Sequence, residues 1–433
     1  MLMNEVINTS ANMMSDMLKG IRLPKMARVR QRFPRPILTD IAGSIYNEIN
    51  KPEIKMTIQP GQKIALTVGS RGIRNIAQII KELVKEVKRL GGHPFIVPAM
   101  GSHGGATTSG QLQVLNDLGI TEQYMEAPIK ASMEVIKIGD ALDGKPVVID
   151  KFAAEADGII VIGRIKPHTA FRGKYESGLM KMLVIGLGKQ KGADICHAEG
   201  FKYMADNIVS FGKVILEKAN ILFGMAILEN PYDETYKITA LTKQEIPLKE
   251  PVLLEEAKAL MPKIMFESFD VLIIDEIGKN ISGDGMDPNI TATYCTPYAR
   301  GGPDIQRVVV LDLTKETHGN AFGVGMADIT TKRLYQKTDF PSMYANAITN
   351  TVIHPTKMPM FMDSDREAIA AAIKTCNEID KNRPKVVRIK NTLHLDELYI
   401  SEALGPEAEK NPDVEILESP KDFAFDEQGN LFL

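Results

Sequence analysis

The chain has 433 residues, 44% of them hydrophobic and 25% charged, with 52 Lys and Arg against 55 Asp and Glu and a formal net charge of −3. That length calls for two buried cores rather than one, and the apolar content excludes a disordered chain. The balanced charge leaves no electrostatic case for nucleic acid or an anionic membrane surface.

The N-terminal stretch has no basic segment running into an apolar core, so it does not read as a signal peptide, and no later window holds the roughly 18 apolar residues of a membrane span. The expected location is the cytoplasm. The cysteines Cys196, Cys295 and Cys376 form no CxxC pair, which argues against a disulfide framework or a zinc knuckle.

From Lys63 the pattern is regular. KIALTV (Lys63–Val68) predicts a strand, and the loop GSRG follows it. Ile76, Ile79, Ile80, Leu83, Val87 and Leu90 then recur at helical spacing until Gly91 and Gly92 stop them. PFIVPA (94–99) predicts the next strand, GSHGG a loop, and 109–118 a second helix. GIIVIGRI (158–165) is a third apolar strand opening into KPHTAF. LFGMAILEN and TYKITALT predict two more strands before the helix LLEEAKALM. Near 266 the rhythm restarts with FDVLIIDEIG, further strands at QRVVVLDL and KVVRIK, and helices near 342–351 and 366–378.

Strands alternating with helices imply two α/β domains with mostly parallel or mixed sheets, here expected at 1–265 and 266–433. Ligands of such sheets bind beyond the carboxyl ends of the strands. Arg71 and Arg74 follow the first strand, His103 the second and His168 the third. Right-handed crossovers put these loops on one edge. We therefore expect an active-site cleft between the domains, walled on the other side by GKNISGDGMDPNIT (278–291), with LTKETHGNAFGVGMADITT (313–331) as a further functional loop.

Of the seven histidines, His93, His354 and His394 read as turn or packing residues. His103 sits among glycines that allow close approach to a ligand. His168 follows a proline that stiffens its loop. Two imidazoles facing one cavity suit a paired acid and base at neutral pH. Lys181 lies inside the apolar run ESGLMKMLVIGLG, where a solvated-face role is weak and a nucleophile or attachment point is favoured. His197 follows sixteen positions later beside Cys196. Adjacent helical side chains diverge by about 100°, so His197 alone is the candidate there. The segment GLGK lacks the GxxxxGK[ST] spacing, and VGSRGIRN is not a GxGxxG motif.

Taken together, AMGSHGGATTSGQLQVLNDLGI, KPHTAFRG, and the spacing from Lys181 to His197 resemble the lactate racemase superfamily, whose members use a nickel-pincer nucleotide. The resemblance implies that His103 and His168 are the catalytic histidines, that Lys181 carries the covalently attached cofactor, that His197 binds nickel, and that Arg71 and Arg74 belong to the first nucleotide-binding loop. It also implies an isomerase, a racemase or epimerase of a 2-hydroxy acid. Hydride would leave C2 and return while the two histidines exchange the hydroxyl proton. Dedicated cofactor-assembly enzymes are the implied partners. The chain departs from the family pattern at Arg71, where aspartate is usual, and after His103, where Gly104 and Gly105 replace arginine and proline. The competing readings are an oxidoreductase or lyase of hydroxy acids with a conventional soluble cofactor, and a nucleotide-binding sensor without catalysis.

Overall fold

The computed structural model describes residues 13–70 and 72–432. The described residues separate into two compact units, one within 34–261 with 349–351 and one of 13–33, 262–348 and 352–432. Each is an α/β unit. No helix among the described residues is long and apolar enough to cross a membrane.

The 34–261 unit is built on a five-stranded sheet in the order His93–Pro98, Lys63–Val68, Gly158–Arg164, Ile221–Glu229, Thr235–Thr242. The first four strands run parallel and the last antiparallel. Their near-continuous apolar character follows from burial on both faces. Because side chains alternate, Ile64, Leu66 and Val68 pack with Ile79, Ile80, Leu83 and Val87 of the helix Ile76–Arg89. Ala65, Val97, Ile159 and Val161 pack on the other face with Ile208, Phe211 and Ile215 of the helix Met204–Lys218. Gly91, at φ +85, ends the first of these helices as expected.

Chain order creates the binding geometry. The strand after Lys63–Val68 lies on one side of it, and Gly158–Arg164 lies on the other. The connections thus diverge on either side of Lys63–Val68, and a crevice opens beyond the carboxyl ends of the two neighbours.

The other unit holds an eight-stranded mixed sheet in which Met360–Met362, Ile329–Thr331, Asp304–Leu313, Ser268–Ile277 and Val386–Ile389 are parallel. Here the expected boundary needs correction. Met26–Gln31 pairs antiparallel with Glu397–Ser401 and with Val414–Ile416, so residues 13–33 join the C-terminal unit. The cause is in the side chains as well as the ladder. Gln31 is fully buried, donates to the Leu395 carbonyl at 2.7 Å, and accepts from the Met265 N–H at 2.7 Å.

The two glycine-rich loops of this unit pack backbone against backbone. Within the first, the Gly278 N–H donates to the Gly285 carbonyl at 2.9 Å, and against the second a Cβ on Gly285 would lie 2.5 Å from the Phe322 carbonyl oxygen. Gly323 has φ +107, and a Cβ there would lie 1.6 Å from the Asp284 carbonyl oxygen. Gly323→Ala is therefore expected to destabilise the unit by about 1–3 kcal/mol, measured as a lower midpoint in urea. An unchanged midpoint would contradict this packing.

Candidate active site

A pocket of about 150 Å3 opens at the switch point of the 34–261 sheet. Gly69 and Ser70 line it from the first loop, Met100 and His103 from the second, and Arg164 and Lys166 from the third. Lys181 and Met182 complete the wall, and all the lining residues belong to this one unit.

His103 is delivered by a loop that only glycine allows. Gly101, Gly104 and Gly105 have φ of +57, +70 and +63, and a Cβ on Gly104 would sit 2.6 Å from the Gln111 nitrogen. The His103 Nδ1 lies 2.9 Å from the Met100 carbonyl. A carbonyl only accepts, so Nδ1 carries the proton and Nε2 the lone pair.

His168 is held differently. Its backbone N–H donates to Glu176 Oε2 at 2.7 Å, and Arg172 Nη1 donates to its carbonyl at 2.6 Å. Glu176 is buried and also pairs with Lys258 at 3.1 Å. The Ala170 N–H donates to His168 Nδ1 at 3.0 Å, which places the imidazole proton on Nε2. That Nε2 lies 2.9 Å from Lys181 Nζ. With the proton on Nε2, this contact accommodates the uncharged amine, the form in which lysine is a nucleophile.

Lys181 closes the short helical turn Leu179–Lys181 and is followed by a π-helical turn, Met182–Gly186. Such widened turns recur at functional sites. The helix Lys189–His197 then ends on His197, whose Nδ1 lies 2.6 Å from the Ala193 carbonyl. Nδ1–H is again the donor, leaving the Nε2 lone pair for a metal, the arrangement that fixes a ligating histidine. Burial lowers the His197 pKa and favours the neutral ring, the form that can bind a metal. Phe201 touches both rings, at 5.5 Å from His197 and 6.3 Å from His168. Cys196 is no nucleophile, because burial pushes its thiol up to about 12.

The structure thus brings His103 and Lys181 to one pocket, holds His168 against Lys181 outside the lining, and sets His197 near His168 across Phe201. Arg74 is exposed and is not among the lining residues. Its backbone N–H donates to Glu229 Oε1 at 2.7 Å, and Glu229 is also ion-paired with Arg164 of the pocket wall. Arg71 lies outside the described residues. Arg164 and Lys166 are additions to the set expected from sequence, although GRIK at the end of a strand carried the signal.

The site defines an α/β protein with a histidine and a lysine at a strand-switch pocket and a second histidine against that lysine. Residues 30–206 match the family model of the lactate racemase N-terminal domain. Among solved structures, the lactate racemase apoprotein from Thermoanaerobacterium thermosaccharolyticum aligns over 84% of this chain and 94% of that one, with 15% identity and a TM-score of 0.49. No curated relative matches the sequence.

Proposed function

We propose that the protein is a racemase or epimerase of a 2-hydroxy acid that works with a nickel-pincer nucleotide. The observation that carries this reading is the pair of histidines in opposite tautomers. His103 presents a lone pair on Nε2, and His168 presents a proton on Nε2. A reaction that removes a hydroxyl proton on one side and returns one on the other needs such a base and acid together. Exchange of their tautomers would serve the reverse direction.

The residues fit the cofactor. Among the described residues no three His, Cys, Asp or Glu side chains converge as a ligand set. His197 offers one donor, its Nε2, which suits a metal that arrives with most of its ligands. Lys181 supplies the amine for attachment, and Arg74 is proposed to serve the nucleotide. When bound, the group would supply the hydride chemistry that side chains lack. The protein's own residues orient the substrate and move the hydroxyl proton. Lys166 is proposed to give the pocket the positive charge that a carboxylate requires, the Arg164 charge being paired with Glu229.

The test is co-expression with cofactor-assembly enzymes. Intact mass should rise by a covalent adduct on Lys181, with nickel retained, and Lys181→Ala should abolish the adduct. His197→Ala should release nickel. His103→Ala and His168→Ala should keep adduct and metal yet lose turnover by roughly 10²-fold or more. An unchanged mass with active assembly enzymes would rule out the cofactor. Near-normal turnover in either histidine variant would return that residue to a loop role.

A further inference from the structure

We propose that Lys189, Asp150 and Gln111 are positioning residues that set the orientation of the His103 imidazole from behind the pocket. The proposal rests on reading His103 as the proton-accepting side chain of the site.

Lys189 is completely buried, at φ +54, three residues after the π-helical segment. An ammonium has three N–H donors, and three oxygens surround this one. It donates to the Pro98 carbonyl and to Gln111 Oε1 at 3.1 Å, and Asp150 Oδ2 faces it at 3.1 Å. The Asp150 contact is chiefly one of charge, since that oxygen makes no well-directed hydrogen bond. Lys189 does not line the pocket.

Each partner leads to His103. Pro98 is the last residue of the strand from which the His103 loop departs. Gln111 is fully buried on the helix Thr108–Asp117, and with its oxygen held by the cation its amide nitrogen must face away. That nitrogen donates to the Gly101 carbonyl at 3.1 Å and to the His103 carbonyl at 3.3 Å. Flipping the amide would set its NH2 against an ammonium and its oxygen against two carbonyls. One buried charge therefore fixes the loop at its start and, through Gln111, at two further carbonyls. Holding the loop backbone in turn keeps the Met100 carbonyl where it receives the His103 Nδ1 proton, at 2.9 Å.

Packing alone does not account for the pair. Burial raises the Asp150 pKa and lowers that of Lys189 against their mutual attraction, and apolar residues of similar volume often serve stability as well. What the pair adds here is direction, because it dictates which way one amide points.

The test uses the purified protein without cofactor or substrate. Gln111→Glu keeps an oxygen toward Lys189 but replaces the donor to Gly101 and His103 with a second acceptor. We expect this variant to stay folded. Amide exchange at 101–105 should rise by about 10-fold or more. The nitrogen-15 spectrum of His103 should change from a single Nδ1–H tautomer to a mixture, while His168 and His197 keep theirs. Should that variant fail to fold, the double substitution Lys189→Met with Asp150→Leu removes the charges together and is expected to give the same signature. Wild-type exchange and one tautomer at His103 in a folded variant would overturn the proposal. If His103→Ala keeps near-normal turnover in the loaded enzyme, the catalytic reading of His103 fails while this positional result still stands.

Discussion

Asp150→Ala is expected to destabilise the 34–261 unit by about 3–5 kcal/mol, because it leaves the Lys189 ammonium buried without its counter-charge. Both side chains are fully inaccessible to solvent, so water cannot take over the lost contact. The substitution also removes the side-chain oxygen that accepts the Ala153 N–H at 3.0 Å, adding about 1 kcal/mol of lost helix capping. Urea unfolding should show the loss as a lower midpoint at similar slope. Replacing both members by apolar residues should recover most of it, since neither charge is then stranded. A loss below about 1 kcal/mol in the single variant would mean that Lys189 finds another partner.

The elements that bear the site are readable because their residues report their own surroundings. Lys63–Val68, His93–Pro98 and Gly158–Arg164 are apolar on both faces, and each ends in a loop with an abrupt change of composition. His103 and His168 stand in those loops. Lys181 stands out because a cation in an apolar run demands a reason. Lys189, eight positions on, demands one too, but the glycines on each side of it in GLGKQKG give the segment the look of an imperfect phosphate loop.

What sequence cannot supply is pairing across distance. Lys189 meets Asp150 from a two-stranded hairpin and Gln111 from a helix, 39 and 78 positions away. Glu176 has the sequence surroundings of an ordinary polar residue, yet it is buried beneath the His168 loop and ties that loop to Lys258. Met26–Gln31 is hidden for a related reason. Its six residues carry two arginines and a glutamine, and only the sheet of the other unit, more than 360 positions away, gives the strand its place.

Three buried carboxylates follow one pattern: Asp150 serves the His103 loop, Glu176 the His168 loop, and Glu250 the segment that carries Lys181. Glu250 is the most testable, because it titrates. Its Oε2 accepts the Met180 N–H at 2.9 Å, next to Lys181, while its Oε1 is buried without a hydrogen-bond partner. Burial outweighs the backbone donors of Met180 and Leu179 and pushes its pKa from an ordinary 4.5 up to about 8. The native state therefore holds a proton across that interval, whereas the unfolded chain has lost it. Stability must fall as pH rises from 4.5 toward 8, and the full penalty is present above the folded pKa. Glu250→Gln cannot ionise, so its unfolding free energy should lack this component of the slope. The gap between the two proteins should widen with pH, reaching on the order of several kcal/mol at alkaline pH, since each tenfold change in proton affinity is worth about 1.4 kcal/mol. Urea unfolding of both proteins between roughly pH 5 and 9 measures it directly. Parallel stability curves over that range would show that Glu250 is ionised in the native protein, and that the start of the Lys181 segment is held by a carboxylate rather than by a carboxylic acid.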